Sequence, residues 1–352
     1  MRVAVLGNGQ LGRMLRQAGD RIGVKVDMLD IEADRYPAAD TLLTVEREHW
    51  PLNPFTEALQ KHPHYLNATA LYELANRIRQ KSLLDRLGVA TSPWCAPDAT
   101  TTPAALHAQL GSDIFLKRAQ GGYDGRGQQR LKAATPEALP EWATQAIAEQ
   151  AIPFDREVSI VGARNRAGDR RFYGLTENRH ENGILTMSIY QAGRFDHLQQ
   201  KAEQMLGTVM DALDYVGVMA MELFVVGDQL LVNEIAPRVH NSGHWTQNGA
   251  SIDQFELHLR AVCDLPLAQP LHFGTSVMVN LLGMEFNPAW LALNAAHCHW
   301  YGKQCQPGRK MGHLNFHHVD TKVIADNIDQ LALPPLYQSS VQWLNSLLRV
   351  AV

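Results

Sequence analysis

Val216-Gly217-Val218-Met219-Ala220-Met221-Glu222-Leu223-Phe224-Val225-Val226, then Gly227-Asp228-Gln229, then Leu230-Leu231-Val232-Asn233-Glu234-Ile235 is the most informative segment of the chain. Two apolar runs around a short glycine-containing loop read as a β-hairpin. With a three-residue loop, 227–229, Val226 faces Leu230 and Glu222 faces Glu234; a two-residue loop would shift that register by one. Like charges facing each other destabilise a strand pair, and a buried unpaired carboxylate costs on the order of several kcal/mol. The pair therefore calls for a cation. Oxygen-only ligands suit Mg²⁺ shared with nucleotide phosphates rather than Zn²⁺. The alternative is an ordinary ion pair of Glu222 with a base such as Arg238.

Downstream of the hairpin, Ala236-Pro237-Arg238-Val239-His240-Asn241-Ser242-Gly243-His244-Trp245-Thr246 has the density of polar side chains expected of an active-site loop, ahead of a helix over Asp253–Cys263. Upstream, the strand Ile114-Phe115-Leu116-Lys117 runs into Gly121-Gly122-Tyr123-Asp124-Gly125-Arg126-Gly127. Glycines let such a loop close over an anion, while Lys117 and Arg126 supply charge. A Walker A loop would end its glycine run in Gly-Lys-Ser/Thr, which this one does not. Glu149-Gln150-Ala151-Ile152 and Glu157 offer an apolar segment with acceptors suited to an adenine edge and ribose hydroxyls.

The N-terminal run Arg2–Leu6, the turn Gly7-Asn8-Gly9-Gln10-Leu11-Gly12 and the following residues read as strand, glycine turn and helix, with a second strand over Val24–Leu29. Gly7, Gly9 and Gly12 match a dinucleotide fingerprint, with Asp27, Asp30 and Glu32 following. The same pattern also makes a plain βα turn. Beyond the prolines at 93, 97 and 103, strands are expected near Ile147–Glu149, Val158–Val161, Ser276–Leu282 and His297–Tyr301. Helices are expected over Leu198–Leu213 and 339–350. The fold class is α/β followed by α+β.

The 352 residues carry 32 Lys+Arg against 36 Asp+Glu, a net charge of −4, so no basic surface argues for nucleic acid. The most apolar stretch, Val216–Val226, is far shorter than the roughly 20 residues of a membrane span. Four scattered cysteines and no leader pattern lead us to expect a reduced, cytoplasmic protein. His297, His299, His313, Cys298 and Cys305 match no common zinc spacing.

GNGQLGRML (7–15), KRAQGGYDGRGQ (117–128), EVSIVGAR (157–164), NEIAPRVHNSGHWTQNGASIDQFE (233–256) and PGRKMGHLN (307–315) give the chain its resemblance. In this order they resemble ATP-grasp enzymes, and within them the N5-carboxyaminoimidazole ribonucleotide synthetase family of bacterial purine synthesis. The resemblance implies a Rossmann-like pre-ATP-grasp domain (1–95), a lid subdomain (96–155), an ATP-grasp core with the metal site (156–270) and a C-terminal domain packing on the core (271–352). It implies ATP contacts from Arg77, Lys117, Gly122, Tyr123, Asp124, Gly125, Arg126, Gly127, Gln128, Glu149, Gln150, Ala151, Ile152, Glu157, His180, Asn233 and Glu234. Glu222 and Glu234 become ligands of Mg²⁺ or Mn²⁺.

Gly9, Gln10, Leu11, Tyr123, Asp124, Arg126, Arg238, His240, Asn241, Ser242, Lys303, Arg309 and Lys310 would face the aminoimidazole ribonucleotide or the transferred carboxyl group, which bicarbonate supplies. Arg238, His240 and Lys117 would be catalytic: Lys117 offsetting phosphate charge, Arg238 developing negative charge, His240 moving a proton. Many ATP-grasp enzymes carry Asn where this chain has Ala236; the subgroup resembled also carries Ala there. A homodimer, and a mutase of the same pathway as recipient of the product, complete the expectations. The rivals are an NAD-dependent oxidoreductase built on the first glycine turn, an ATP-grasp enzyme with another acceptor, and a nucleotide-sensing protein without turnover.

Overall fold

The computed structural model describes residues 1–31, 36–122, 127–134 and 138–349. Tyr123, Asp124, Gly125 and Arg126, expected to cover the nucleotide, lie outside the described residues.

Three sheets organise the described chain. The first holds β1 (Arg2–Leu6), β2 (Lys25–Leu29) and β3 (Leu42–Val45), parallel in the order β2-β1-β3. The second holds β4 (Trp94–Cys95), β5 (Asp113–Arg118), β6 (Gln128–Lys132) and β7 (Ala146–Gln150), antiparallel in the order β4-β7-β5-β6. The third is formed by β8 (Arg156–Arg164), β9 (Arg170–Phe172), β10 (Thr176–Glu181), β11 (Ile184–Gln191), β12 (Gly217–Val226), β13 (Gln229–Ala236), β14 (Thr275–Leu282), β15 (Ala296–Trp300) and β16 (Lys310–His318). Its order is β13-β12-β8-β10-β11-β14-β16-β15, with β9 beside β8.

The C-terminal stretch does not form a separate layer: β14 pairs with β11, Met187 against Val279, and so extends the large sheet edge to edge. Helices Thr321–Ile328 and Gln338–Leu348 cover that part and share a core with Val277, Val279, Leu314 and Phe316. The sheet of the lid likewise begins ahead of residue 96, because Trp94 pairs with Glu149.

β12 is buried on both faces along most of its length, which explains its apolar run, broken only by Glu222. Met219, Met221, Leu223 and Val225 pack with helix Asp196–Ala212, while Val218 and Ala220 pack with helix Gln254–Val262 and the first domain. Glu222 continues the second of these rows, since side chains alternate along a strand. That places one carboxylate in line with core methyl groups, at the floor of the junction between the first domain and the large sheet.

The hairpin corrects the expected loop. It has two residues, not three: Val226 faces Gln229 and Val225 faces Leu230. Gly227, at φ 57°, takes the first loop position, where a left-handed backbone favours glycine. That register alone would separate the glutamates. A bulge between Leu223 and Glu222, where Asn233 is the extra residue on β13, restores Glu222 opposite Glu234.

Candidate active site

The bulge has a chemical consequence. Asn233 turns its amide oxygen to Lys117, whose Nζ lies 3.2 Å away and also donates to Glu149 Oε2 at 3.1 Å. Lys117 is the penultimate residue of β5 and Glu149 sits on the neighbouring β7, so strand pairing sets their spacing. Lys81 Nζ approaches the other Glu149 oxygen at 3.3 Å. Burial works against the Glu149 carboxylate, yet the Lys117 and Lys81 charges hold it below the ordinary value.

Arg77 opens helix Arg77–Leu87, with Asn76 capping it through its side-chain oxygen. Its guanidinium donates to the Arg118 and Gly121 carbonyls at 3.0 and 2.7 Å and lies 3.6 Å from Glu234. One side chain therefore links the base of the glycine loop to the expected metal carboxylate. Gly122, Gly127 and Gln128 flank the same loop, and Gln128 pairs with Lys117. Gln150 and Ala151 fix the next segment through backbone bonds to Pro93 and Asp113, and Ile152 precedes Phe154, whose ring stacks on Phe224 at 4.7 Å.

Glu222 is pushed up to about 7, first by burial and then by the facing Glu234. Arg238 does not pair with it, as one reading of the sequence allowed. That guanidinium lies 3.0 Å from Glu48, and among the described residues Glu222 Oε1 has His240 Nε2 at 3.7 Å. A carboxylate kept from ionising by burial and by another carboxylate, with a neutral imidazole beside it, is a donor set that a divalent cation would relieve. Among the described residues no group of three or more His, Cys, Asp or Glu could hold a metal by itself. The pair therefore suits a cation that brings phosphate oxygens as further ligands.

His240 lies well below the ordinary imidazole value, through burial and then Arg238. Its Nδ1 accepts from the Ser242 amide and lies 2.9 Å from Ser242 Oγ. These bonds assign the proton to Nε2, the nitrogen facing Glu222. Behind Ser242 runs a buried chain: Asn178 donates to Ser159 Oγ, and Ser159 to Ser242 Oγ, at 3.0 and 2.8 Å. Gln254 clamps the backbone of His240 from the other side, accepting from its amide and donating to its carbonyl. Asn241 exchanges two amide hydrogen bonds with Asn280 of β14.

His180 and Glu157, on adjacent strands, are hydrogen-bonded. Burial pulls the imidazole down, but the hydrogen bond and charge of Glu157, with Glu222 behind, raise it overall. Lys303 is pushed down to about 8 by burial, then by Arg309 and Lys310, and its ammonium lies 5.1 Å over the Tyr301 ring. Arg309 donates outward to the Gln304 carbonyl. Lys303 lies within electrostatic reach of Glu46 at the first glycine turn, beside which Arg13 donates to the Tyr301 carbonyl at 2.7 Å.

At that turn the Gly9 and Gly12 amides both donate to Glu46, each at 2.6 Å. A Cβ on Gly7, at φ +123°, would lie 2.4 Å from the Glu46 side chain. The glycines thus accommodate an internal carboxylate. Asn8 donates to Asp30, one of the acids that would have read a ribose. Nothing in the residue pattern pointed to Glu46, Glu48, Lys81, Ser159, Asn178 or Gln254; each acts through a partner distant in the chain.

A β-sheet lid, a paired-glutamate hairpin and a strand lysine between them define an ATP-grasp architecture. The family model for the ATP-grasp domain matches residues 82–255, and that for the phosphoribosylaminoimidazole carboxylase C-terminal domain matches residues 276–327. The Escherichia coli N5-carboxyaminoimidazole ribonucleotide synthase is 49% identical over 349 residues, 98% of each chain. The solved N5-carboxyaminoimidazole ribonucleotide synthetase of Thermus thermophilus superposes with a TM-score of 0.84 at 38% identity, covering 95% of this chain and 99% of that one. An Aspergillus clavatus N5-carboxyaminoimidazole synthase, in complex with ADP and the aminoimidazole ribonucleotide, gives 0.80 at 26% identity over 93% and 98%. The chain belongs to the N5-carboxyaminoimidazole ribonucleotide synthase family of ATP-grasp ligases.

Proposed function

We propose that this protein carboxylates 5-aminoimidazole ribonucleotide with bicarbonate at the expense of ATP, giving N5-carboxyaminoimidazole ribonucleotide, ADP and phosphate in de novo purine synthesis. The observation that carries this is the single junction linking Lys117 and Asn233, the Glu222–Glu234 pair, and His240 with Arg238.

A bicarbonate oxygen attacks the γ-phosphorus and ADP leaves, forming carboxyphosphate. Lys117 and Arg77 offset phosphate charge, and the glycine loop excludes water from a labile intermediate. Mg²⁺ or Mn²⁺ held by Glu222 and Glu234 would supply further charge neutralisation at the phosphates. The exocyclic amine then bonds to the carboxyl carbon, phosphate departs and one N–H proton ends on it. His240, carrying hydrogen on Nε2, donates to the developing charge, and Arg238 stabilises it. Lys303, Arg309 and Lys310 receive the ribonucleotide phosphate beside Gln10 and Leu11. The enzyme works as a homodimer and passes its acid-labile product to a mutase.

ADP release from Mg·ATP, with bicarbonate and ribonucleotide each added and omitted, tests the reading. Release that requires the ribonucleotide, with an acid-labile carboxylated product, is the expected result. Release indifferent to it, from folded protein that binds ATP, would remove the acceptor.

A further inference from the structure

Glu149 stands between two lysines that are held very differently. Lys81 is 1% exposed, and its ammonium donates to Thr91 Oγ1 at 2.6 Å; Thr91 in turn donates to the Val232 carbonyl of the metal hairpin at 2.6 Å. That lysine is pinned to β13 and to helix Arg77–Leu87. Lys117 is near the open end of β5, with a side chain 18% exposed and held by the Glu149 and Asn233 oxygens. Each lysine takes its own Glu149 oxygen.

We propose that Lys81 is a positioning residue for nucleotide binding: as the fixed counter-ion of Glu149, it lets Lys117 leave that carboxylate for the phosphates of ATP. The proposal rests on reading Lys117 as the phosphate lysine. A buried carboxylate stripped of every cation is strongly unfavourable. Without Lys81, Glu149 would retain Lys117, and the nucleotide would have to compete for it. Lys81 follows Arg77 by four residues on the same helix face, so one helix steadies both the lid and Glu234.

Calorimetric titration with Mg·ATP, without bicarbonate or ribonucleotide, tests this on Lys81→Met, Glu149→Gln, the double variant and Lys117→Met. Lys81→Met should weaken ATP about tenfold in the titration, while in a separate steady-state assay with all substrates present the KM for the ribonucleotide should move less than about twofold. Added to Glu149→Gln, the same change should cost less than about twofold, because Lys81 acts only through that carboxylate. This second comparison uses a charge-balanced protein and carries the test if the single variant does not fold. Unchanged ATP affinity in Lys81→Met, or an equal loss in the Glu149→Gln background, would overturn the proposal. Wild-type affinity in Lys117→Met would overturn the reading beneath it, and the proposal with it.

Discussion

Glutamine in place of Glu222 should make the metal-free protein more stable above neutral pH, not less. The Glu222 carboxyl is raised from 4.5 to about 7, by burial and by Glu234 across the bulge. A folded-state value above the unfolded one means that the folded protein keeps a proton the unfolded chain has released. Stability therefore falls as pH rises from about 4.5 to about 7, and the loss persists at higher pH. At about 1.4 kcal/mol per pH unit, the penalty reaches about 3 kcal/mol by pH 8 and is under about 1 kcal/mol at pH 5. Glutamine cannot ionise and escapes it. Urea unfolding in chelator at pH 5 and pH 8 reads the difference: the variant should gain about 2–3 kcal/mol at pH 8 and little at pH 5. Saturating Mg·ADP should reverse the order, because only the wild type gains the binding free energy. An equal gain at both pH values, or none at pH 8, would refute the electrostatic account of the pair.

Glu234→Gln should abolish Mg·ATP turnover with an unchanged circular dichroism spectrum, and an unaltered rate would remove the metal assignment. Ser242→Ala deprives His240 Nδ1 of its hydroxyl partner and should lower kcat about tenfold with the KM for ATP unchanged. A loss falling on ATP affinity instead would assign Ser242 a structural role.

The legibility of this chain follows its local order. Strands β1, β12 and β14 are readable as apolar runs because they are buried on both faces along most of their length. β10 is not: Thr176-Glu177-Asn178-Arg179-His180-Glu181 is polar along its whole length, although it lies inside the large sheet. Asn178 belongs to the chain behind His240, His180 pairs with Glu157, and Glu177 receives Arg194, so each of these polar residues is consumed by a partner. A strand that spends its side chains on a site loses the pattern that announces a strand. The hairpin shows the opposite case. Its glutamates do face each other, but through a two-residue loop and a bulge that no period-two count foresees, and the bulged Asn233 is what reaches Lys117.

The first glycine turn marks where a motif and its usual meaning separate. Glycines before a helix permit close approach of an anion to backbone amides, and the fingerprint reports only that permission. In this chain the anion is Glu46, which follows β3 and stands 37 residues along the sequence from Gly9. The amides of Gly9 and Gly12 cannot serve a pyrophosphate while they hold that carboxylate, and the turn instead fixes a negative charge facing Lys303. On the function proposed above, a ribonucleotide phosphate arriving there would meet Lys303, Arg309 and Lys310 rather than the helix end. On that reading the acceptor site would draw its positive charge from residues next to β15 and β16 and would lie against the first glycine turn.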